Sequence, residues 1–136
     1  QDAEVLNRIL NLNLRSGDVL ARAVVPTLLA QGHGAIVNVG ARAARDHTAG
    51  IGAYAASKAA AVALFDSLAA DLKGTGVRVN SVLPSIIDTE ANRKALPKAD
   101  FARWPKPEDI ARVILFLSSE AAKVIHGAAI PVYGDS

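Results

Sequence analysis

The spacing of apolar residues along this chain switches between helical and strand periods, and the switches mark out its elements. Val5, Ile9 and Leu12, then Leu20, Val24 and Leu28, recur at helical spacing and predict a long helix over 3–30, with Pro26 expected to bend it near its end. Gln31-Gly32-His33-Gly34 reads as a turn. Ala35-Ile36-Val37-Asn38-Val39 is a short apolar run rich in β-branched residues, which predicts a buried strand. A loop over 40–52 precedes a second helix over 53–73, with Leu64, Leu68 and Leu72 on one stripe and Gly74-Thr75-Gly76 as its stop. Val77 to Leu83 alternates as a second strand. Residues 84–106 are polar and read as irregular, and their charges read as a solvated loop. Pro107-Glu108-Asp109 opens another helix, with proline at its first position, carboxylates in its first turn and Ile110, Val113, Ile114 and Leu117 as its apolar face. Ala129 to Val132 is a last short strand.

Helices alternating with strands predict an α/β fold with three or more parallel strands and flanking helices, as one domain over 1–136. Ligands of such open sheets sit beyond the carboxyl ends of the strands. The loops there are 40–52, 84–106 and 133–136, and the second helix starts from the first of them.

Composition narrows the function classes. The net charge of +2 is small and unclustered, and only 4% of residues are aromatic, which argues against nucleic acid as a partner. There is no cysteine, hence no disulfide framework and no thiolate site, and the three histidines lack ligand-like spacing, so no metal is expected. No apolar run reaches the roughly 18 residues that span a bilayer, and no signal-peptide pattern opens the chain, so a soluble, cytoplasmic protein without a membrane partner is the expectation. Methionine does not occur, even at position 1, so the 136 residues are expected to be a segment of a longer protein or a processed product.

The candidate chemistry centres on Tyr54-Ala55-Ala56-Ser57-Lys58. Residues at this spacing share a helical face one turn apart. A nearby ammonium favours a phenolate, so Lys58 is expected to lower the Tyr54 pKa from its ordinary value near 10. A phenol tuned this way can exchange a proton with an alcohol or carbonyl oxygen.

In its surroundings this stretch resembles the short-chain dehydrogenase/reductase family, over nearly the whole chain but over only the C-terminal half of the family's fold. Asn11-Leu12-Asn13-Leu14 resembles its central helix motif, and Gly34-Ala35-Ile36-Val37-Asn38-Val39 the strand before its active-site loop. Tyr54 to Ala60 resembles the catalytic helix, Val77-Arg78-Val79-Asn80-Ser81-Val82 the next strand, Pro84 to Thr89 the proline-to-threonine segment, and Lys106-Pro107-Glu108-Asp109-Ile110-Ala111 the helix after the substrate loop. The resemblance implies a partial Rossmann-type fold whose N-terminal dinucleotide-binding half is missing. It implies Tyr54 as general acid/base, Lys58 as a ligand of the nicotinamide ribose, and Asn13 as the holder of a water in a proton relay. Pro84, Ile87 and Thr89 are implied at the cofactor, NAD or NADP.

Two departures qualify this picture. The family's active-site serine position is Ala41 here, which removes a hydrogen bond at the reacting oxygen. Alanine at that place, with Gly40-Ala41-Arg42-Ala43-Ala44 and Asp88 to Trp104, resembles quinonoid dihydropteridine reductase-like members, whose substrates accept hydride readily. Further, no Gly-x-x-x-Gly-x-Gly segment precedes a helix, and Ser85 replaces a common glycine. Without that turn the adenosine half of a dinucleotide has no cradle, so the chain alone is expected to bind NAD(P) weakly or not at all.

Two functions follow as expectations. One is a segment of an NAD(P)-dependent oxidoreductase acting on a carbonyl or a quinonoid, pteridine-like small molecule, inactive alone. The other is a non-enzymatic remnant that associates with itself, as a dimer, or with a partner through its helices and a bare sheet edge.

Overall fold

The structure is a computed structural model that describes residues 3–136. The predicted first helix is one continuous rod in three parts: α1 (Ala3–Leu10), a π-helical turn (Asn11–Arg15) and α2 (Ser16–Gln31). Pro26 does not end it. The end comes at Gly32, which takes a left-handed φ of 78° and donates its N–H to the carbonyls of Leu28 and Leu29 at 3.0 and 3.1 Å.

Three strands follow: β1 (Gly34–Val39), β2 (Val77–Leu83) and β3 (Ala129–Pro131), in the order β1-β2-β3 and all parallel. The register pairs Ile36 with Val79, Val39 with Val82, and Leu83 with Pro131. The helix α3 (Gly52–Asp71) connects β1 to β2. Between β2 and β3 run α4 (Glu90–Ala95) and α5 (Pro107–Leu117). The predicted α/β class is therefore observed, with three parallel strands and flanking helices.

Ile36, Val77 and Val79 point to one face of the sheet, where Ala21, Phe65, Ala69 and Leu72 of the α2 and α3 region form a core with them. Arg78 and Asn80 alternate to the other face. There Arg78 donates to the carbonyls of Leu117, Ala122, Ser119 and Ile125 at 2.8–3.3 Å, and Asn80 bonds Ile125 O and Ala128 N at 3.0 and 2.9 Å. These side chains satisfy carbonyls left open after α5, so the polar residues of β2 are structural. His126 bridges the layers, accepting from Val79 N and lying 2.6 Å from Ala69 O.

Three expectations change. β1 is half-buried rather than buried, because it is an edge strand. The buried side of α3 is Ala55, Ser57, Ala61, Phe65 and Ala69, small residues that let the helix approach the sheet, while Leu64 is only half-buried and Leu68 packs at the margin of the core. Residues 84–106 are ordered: the Thr89 hydroxyl accepts from Asn92 N and starts α4, Arg93 grips Asp88 at 2.6 and 2.8 Å, and the Arg93 guanidinium covers Phe101 at 4.6 Å. Trp104 is buried against Phe101, with centroids 4.9 Å apart, so it anchors this segment.

Two glycines are required by close approach. A Cβ on Gly76, at φ 85°, would stand 2.1 Å from Gly32 O. One on Gly40 would stand 2.8 Å from Leu83 Cδ2 and 3.3 Å from Val62 Cγ2. Gly40 thus lets the loop after β1 lie flat on the end of β2.

Candidate active site

The loops after β1 and β2 are bound edge to edge. Gly40 N–H donates to Val82 O and Arg42 N–H to Pro84 O, both at 2.8 Å, which extends the strand ladder beyond the sheet. Ala41 is buried between these bonds, a methyl where the family's hydroxyl was expected. Its chain continues to Ile51, whose carbonyl accepts from Ala55 N at 2.8 Å and starts α3.

Tyr54 and Lys58 emerge together from the first turns of α3. The Lys58 Nζ stands 5.8 Å from the centroid of the Tyr54 ring, so phenol and ammonium share one side of the helix as the spacing predicted. Lys58 is half-buried, and no carboxylate or carbonyl among the described residues pairs with its ammonium. Burial dominates both groups. It pushes the Tyr54 phenol above its ordinary value of 10.0 and the Lys58 ammonium below its ordinary value of 10.5. The expected lowering of the phenol by Lys58 is thereby reversed: the loss of water around the two groups outweighs the attraction of an ammonium that stands 5.8 Å from the centre of the Tyr54 ring.

Asn13 reaches this helix from the π-helical turn. Its Nδ2 donates to Ser57 Oγ at 3.1 Å, and Ser57 Oγ donates to the Tyr54 carbonyl at 2.7 Å. Ser57 is fully buried. The chain Asn13–Ser57–Tyr54 fixes the start of α3 against the long helix, and π-helical turns often occur at such functional places. The sequence assigns Ser57 no role, because a buried serine between Tyr54 and Lys58 carries no periodic signal of its own.

The remaining candidates line the second loop. Pro84 is buried and accepts from Arg42 N. The Ile87 carbonyl accepts from Asn92 Nδ2 at 2.7 Å, and Thr89 caps α4. The tail after β3, named with the other two loops from the sequence, takes part through contacts that the sequence does not specify. Arg42 covers the Tyr133 ring at 4.8 Å, Arg103 donates to Asp135 O at 2.7 and 3.1 Å, and the Ser85 and Ser136 hydroxyls are bonded to each other. All three loops at the carboxyl ends of the strands therefore meet. Among the described residues no group of three or more histidine, aspartate or glutamate side chains could hold a metal ion, and no helix is long and apolar enough to cross a membrane.

A family model described as enoyl-(acyl carrier protein) reductase, of the short-chain dehydrogenase/reductase type, matches residues 1–134. The chain belongs to the short-chain dehydrogenase/reductase family. It is 34% identical over 134 residues to the 3-oxoacyl-[acyl-carrier-protein] reductase FabG of Thermotoga maritima, covering 93% of this chain and 54% of that protein. It is 37% identical to D-threitol dehydrogenase of Mycolicibacterium smegmatis, over 92% of this chain and 52% of that one. Among solved structures it superposes on the 3-oxoacyl (acyl-carrier-protein) reductase of Agrobacterium tumefaciens with NADP bound, with a TM-score of 0.90 at 28% identity, covering 100% of this chain and 57% of that one. The chain spans about half the length of the curated relatives it matches.

A nicotinamide dinucleotide fits this set of residues at one end. An unpaired, half-buried ammonium beside a phenol, in the first turns of the helix that follows the loop after β1, suits the hydroxyls of a ribose. The diphosphate end has no glycine-rich turn of the family's kind in these 136 residues to receive it.

Proposed function

We propose that this chain is the catalytic portion of an NAD(P)-dependent oxidoreductase that reduces a small carbonyl or quinonoid compound. The observation that carries this reading is the pairing of Tyr54 with an unpartnered Lys58 on one side of α3, in the first turns of the helix that starts from the loop after β1. Bound nicotinamide supplies the hydride in such chemistry. The chain's own residues supply the proton and the placement. Lys58 holds ribose hydroxyls with its ammonium, and Pro84, Ile87 and Thr89 border the same ligand. The Tyr54 O–H bond breaks as its proton passes to the substrate oxygen or nitrogen. Asn13, with its Nδ2 engaged by Ser57, keeps Oδ1 as an acceptor for a water that returns a proton toward Lys58.

A phenol raised above 10.0 is protonated at neutral pH, the state required of an acid in the reductive direction. Ala41 leaves the reacting oxygen without a hydroxyl donor, which favours substrates that accept hydride readily, a quinonoid or pteridine-like ring among them.

Nicotinamide absorbance in the presence of a ketone or quinonoid substrate tests this. Tyr54→Phe should lower the reduction rate by roughly 10²–10⁴-fold. Because the acid is the protonated form, the rate should stay level through neutral pH and fall as pH rises past the raised Tyr54 value. An active protein whose Tyr54→Phe variant keeps its rate would remove the assignment. Residues 1–136 alone should show no saturable NADH quenching of Trp104 fluorescence in the micromolar range, and tight binding would contradict the one-ended fit.

The second reading, self-association, has its own support. The long helix leaves Leu12 68% and Leu20 64% exposed, and Val39 on the free edge of β1 is 47% exposed. Sedimentation should detect a dimer, and a monomer persisting at high concentration would exclude it.

A further inference from the structure

A cleft of about 370 Å³ opens at the start of α3, lined by Arg42, Asp46, Thr48 and Ile51 of the first loop, the last of these directly preceding the helix, with Ser85 of the second loop and Ser136 of the tail. Its most polar feature is an ion pair, with Arg42 Nε 2.6 Å from Asp46 Oδ2. The guanidinium is held on two further sides, over the Tyr133 ring at 4.8 Å and by Nη1 on Ser136 O at 3.4 Å. Its Nη2 donors and the Asp46 Oδ1 acceptor have no protein partner among the described residues. Both side chains are about half open, at 43% and 52% exposure, so these groups are available to a ligand. Arg45, the other cation nearby, donates to Ala129 O at 3.2 Å and does not line the cleft.

We infer that Arg42 and Asp46 are the specificity-determining pair of this cleft, matched to a small neutral hydroxyketone rather than a keto acid. The inference rests on the cleft being the substrate site of the reading above. A hydroxyketone brings an acceptor for the Arg42 N–H groups next to an O–H donor for Asp46 Oδ1, so both open groups are satisfied without a net charge entering. A carboxylate gains the guanidinium but meets the Asp46 carboxylate at almost the same distance, and the two Coulomb terms oppose each other. Stacking on Tyr133 and the bond to Ser136 keep the guanidinium from turning away from Asp46 toward such a ligand.

Hydroxyacetone and pyruvate form a matched probe pair, differing only in CH₂OH against carboxylate. Titration of the full ¹⁵N-labelled chain, read at the Arg42 Nε–H and the Ser136 amide, should show hydroxyacetone binding about two- to fivefold more tightly than pyruvate, the scale of one half-exposed charge pair. Asp46→Asn should strengthen pyruvate by about the same factor and reverse the order. Arg42→Met should weaken both, with unchanged Trp104 fluorescence confirming the fold. Tighter pyruvate binding by the unaltered chain, an unchanged ratio in Asp46→Asn, or no perturbation at Arg42 by either probe would overturn the inference. Hydroxyacetone that binds at Arg42 while leaving the Tyr54 and Lys58 amide signals unmoved would defeat the placing of the substrate beside Tyr54 and leave the pair's selectivity standing.

Discussion

Gly34–Val39 and Val77–Leu83 both place valines around an asparagine, run parallel and pair residue for residue, yet no residue of the first is fully buried and only Arg78 of the second is not. The difference comes from neighbours, not from composition. β2 has a strand on each side and helices on both faces; β1 has β2 on one side only. A strand's hydrophobicity therefore reports that it pairs, whereas its burial reports how many surfaces find partners.

Substitutions at matched depth sharpen this contrast. Leu83→Ala, at a fully buried site, should lose about 2–5 kcal/mol in urea unfolding, while Val39→Ala should stay within about 0.5 kcal/mol. Equal losses would mean that the β1 edge is covered in solution. Next in size is Arg78→Met, which removes a charged donor shared by four carbonyls around the end of α5, that of Leu117 having no other donor among the described residues, and should cost about 1.5–3 kcal/mol by the same measurement. Val39→Lys should change stability little but weaken any self-association through the free edge, as seen by sedimentation.

The smallest effect concerns Lys58. Its value in the fold is lowered by burial, so the charged ammonium is tolerated less well folded than unfolded, and stability is lost as pH falls through the lowered value. Lys58→Met should therefore be more stable than the parent chain at neutral pH, with the advantage shrinking as pH rises toward 10.5. An advantage that persists unchanged at high pH would point to packing rather than charge.

Much of the fold was legible because its signals are local. Helical spacing from Val5 to Leu28, the β-branched runs at 35–39 and 77–83, and proline with carboxylates at 107–109 each announce an element within a few residues. The short helix at Glu90–Ala95 escaped because it is polar on all sides, and its cap depends on one hydroxyl, Thr89. The buried side of α3 escaped because the helix is apolar all round, so leucines drew attention from the alanines that face the sheet.

The candidate site divides the same way. Spacing alone placed Tyr54 and Lys58 on one side of a helix, since 3.6 residues per turn is a property of any helical backbone. The sign of their pKa shifts was not in the spacing. It depends on how much water the surrounding loops exclude, and that reversed the expected tuning. Ser57 as the link between Asn13 and Tyr54, and the meeting of Arg42, Tyr133 and Ser136, join residues far apart along the chain. What the amino-acid order decided by itself was the alternation of elements, the family motifs and the shared side of the phenol and ammonium, all set by short-range geometry. What only the tertiary structure decided was which strand is buried, which charges are desolvated and which side chains of the named loops line the cleft, because each depends on partners brought from elsewhere in the sequence.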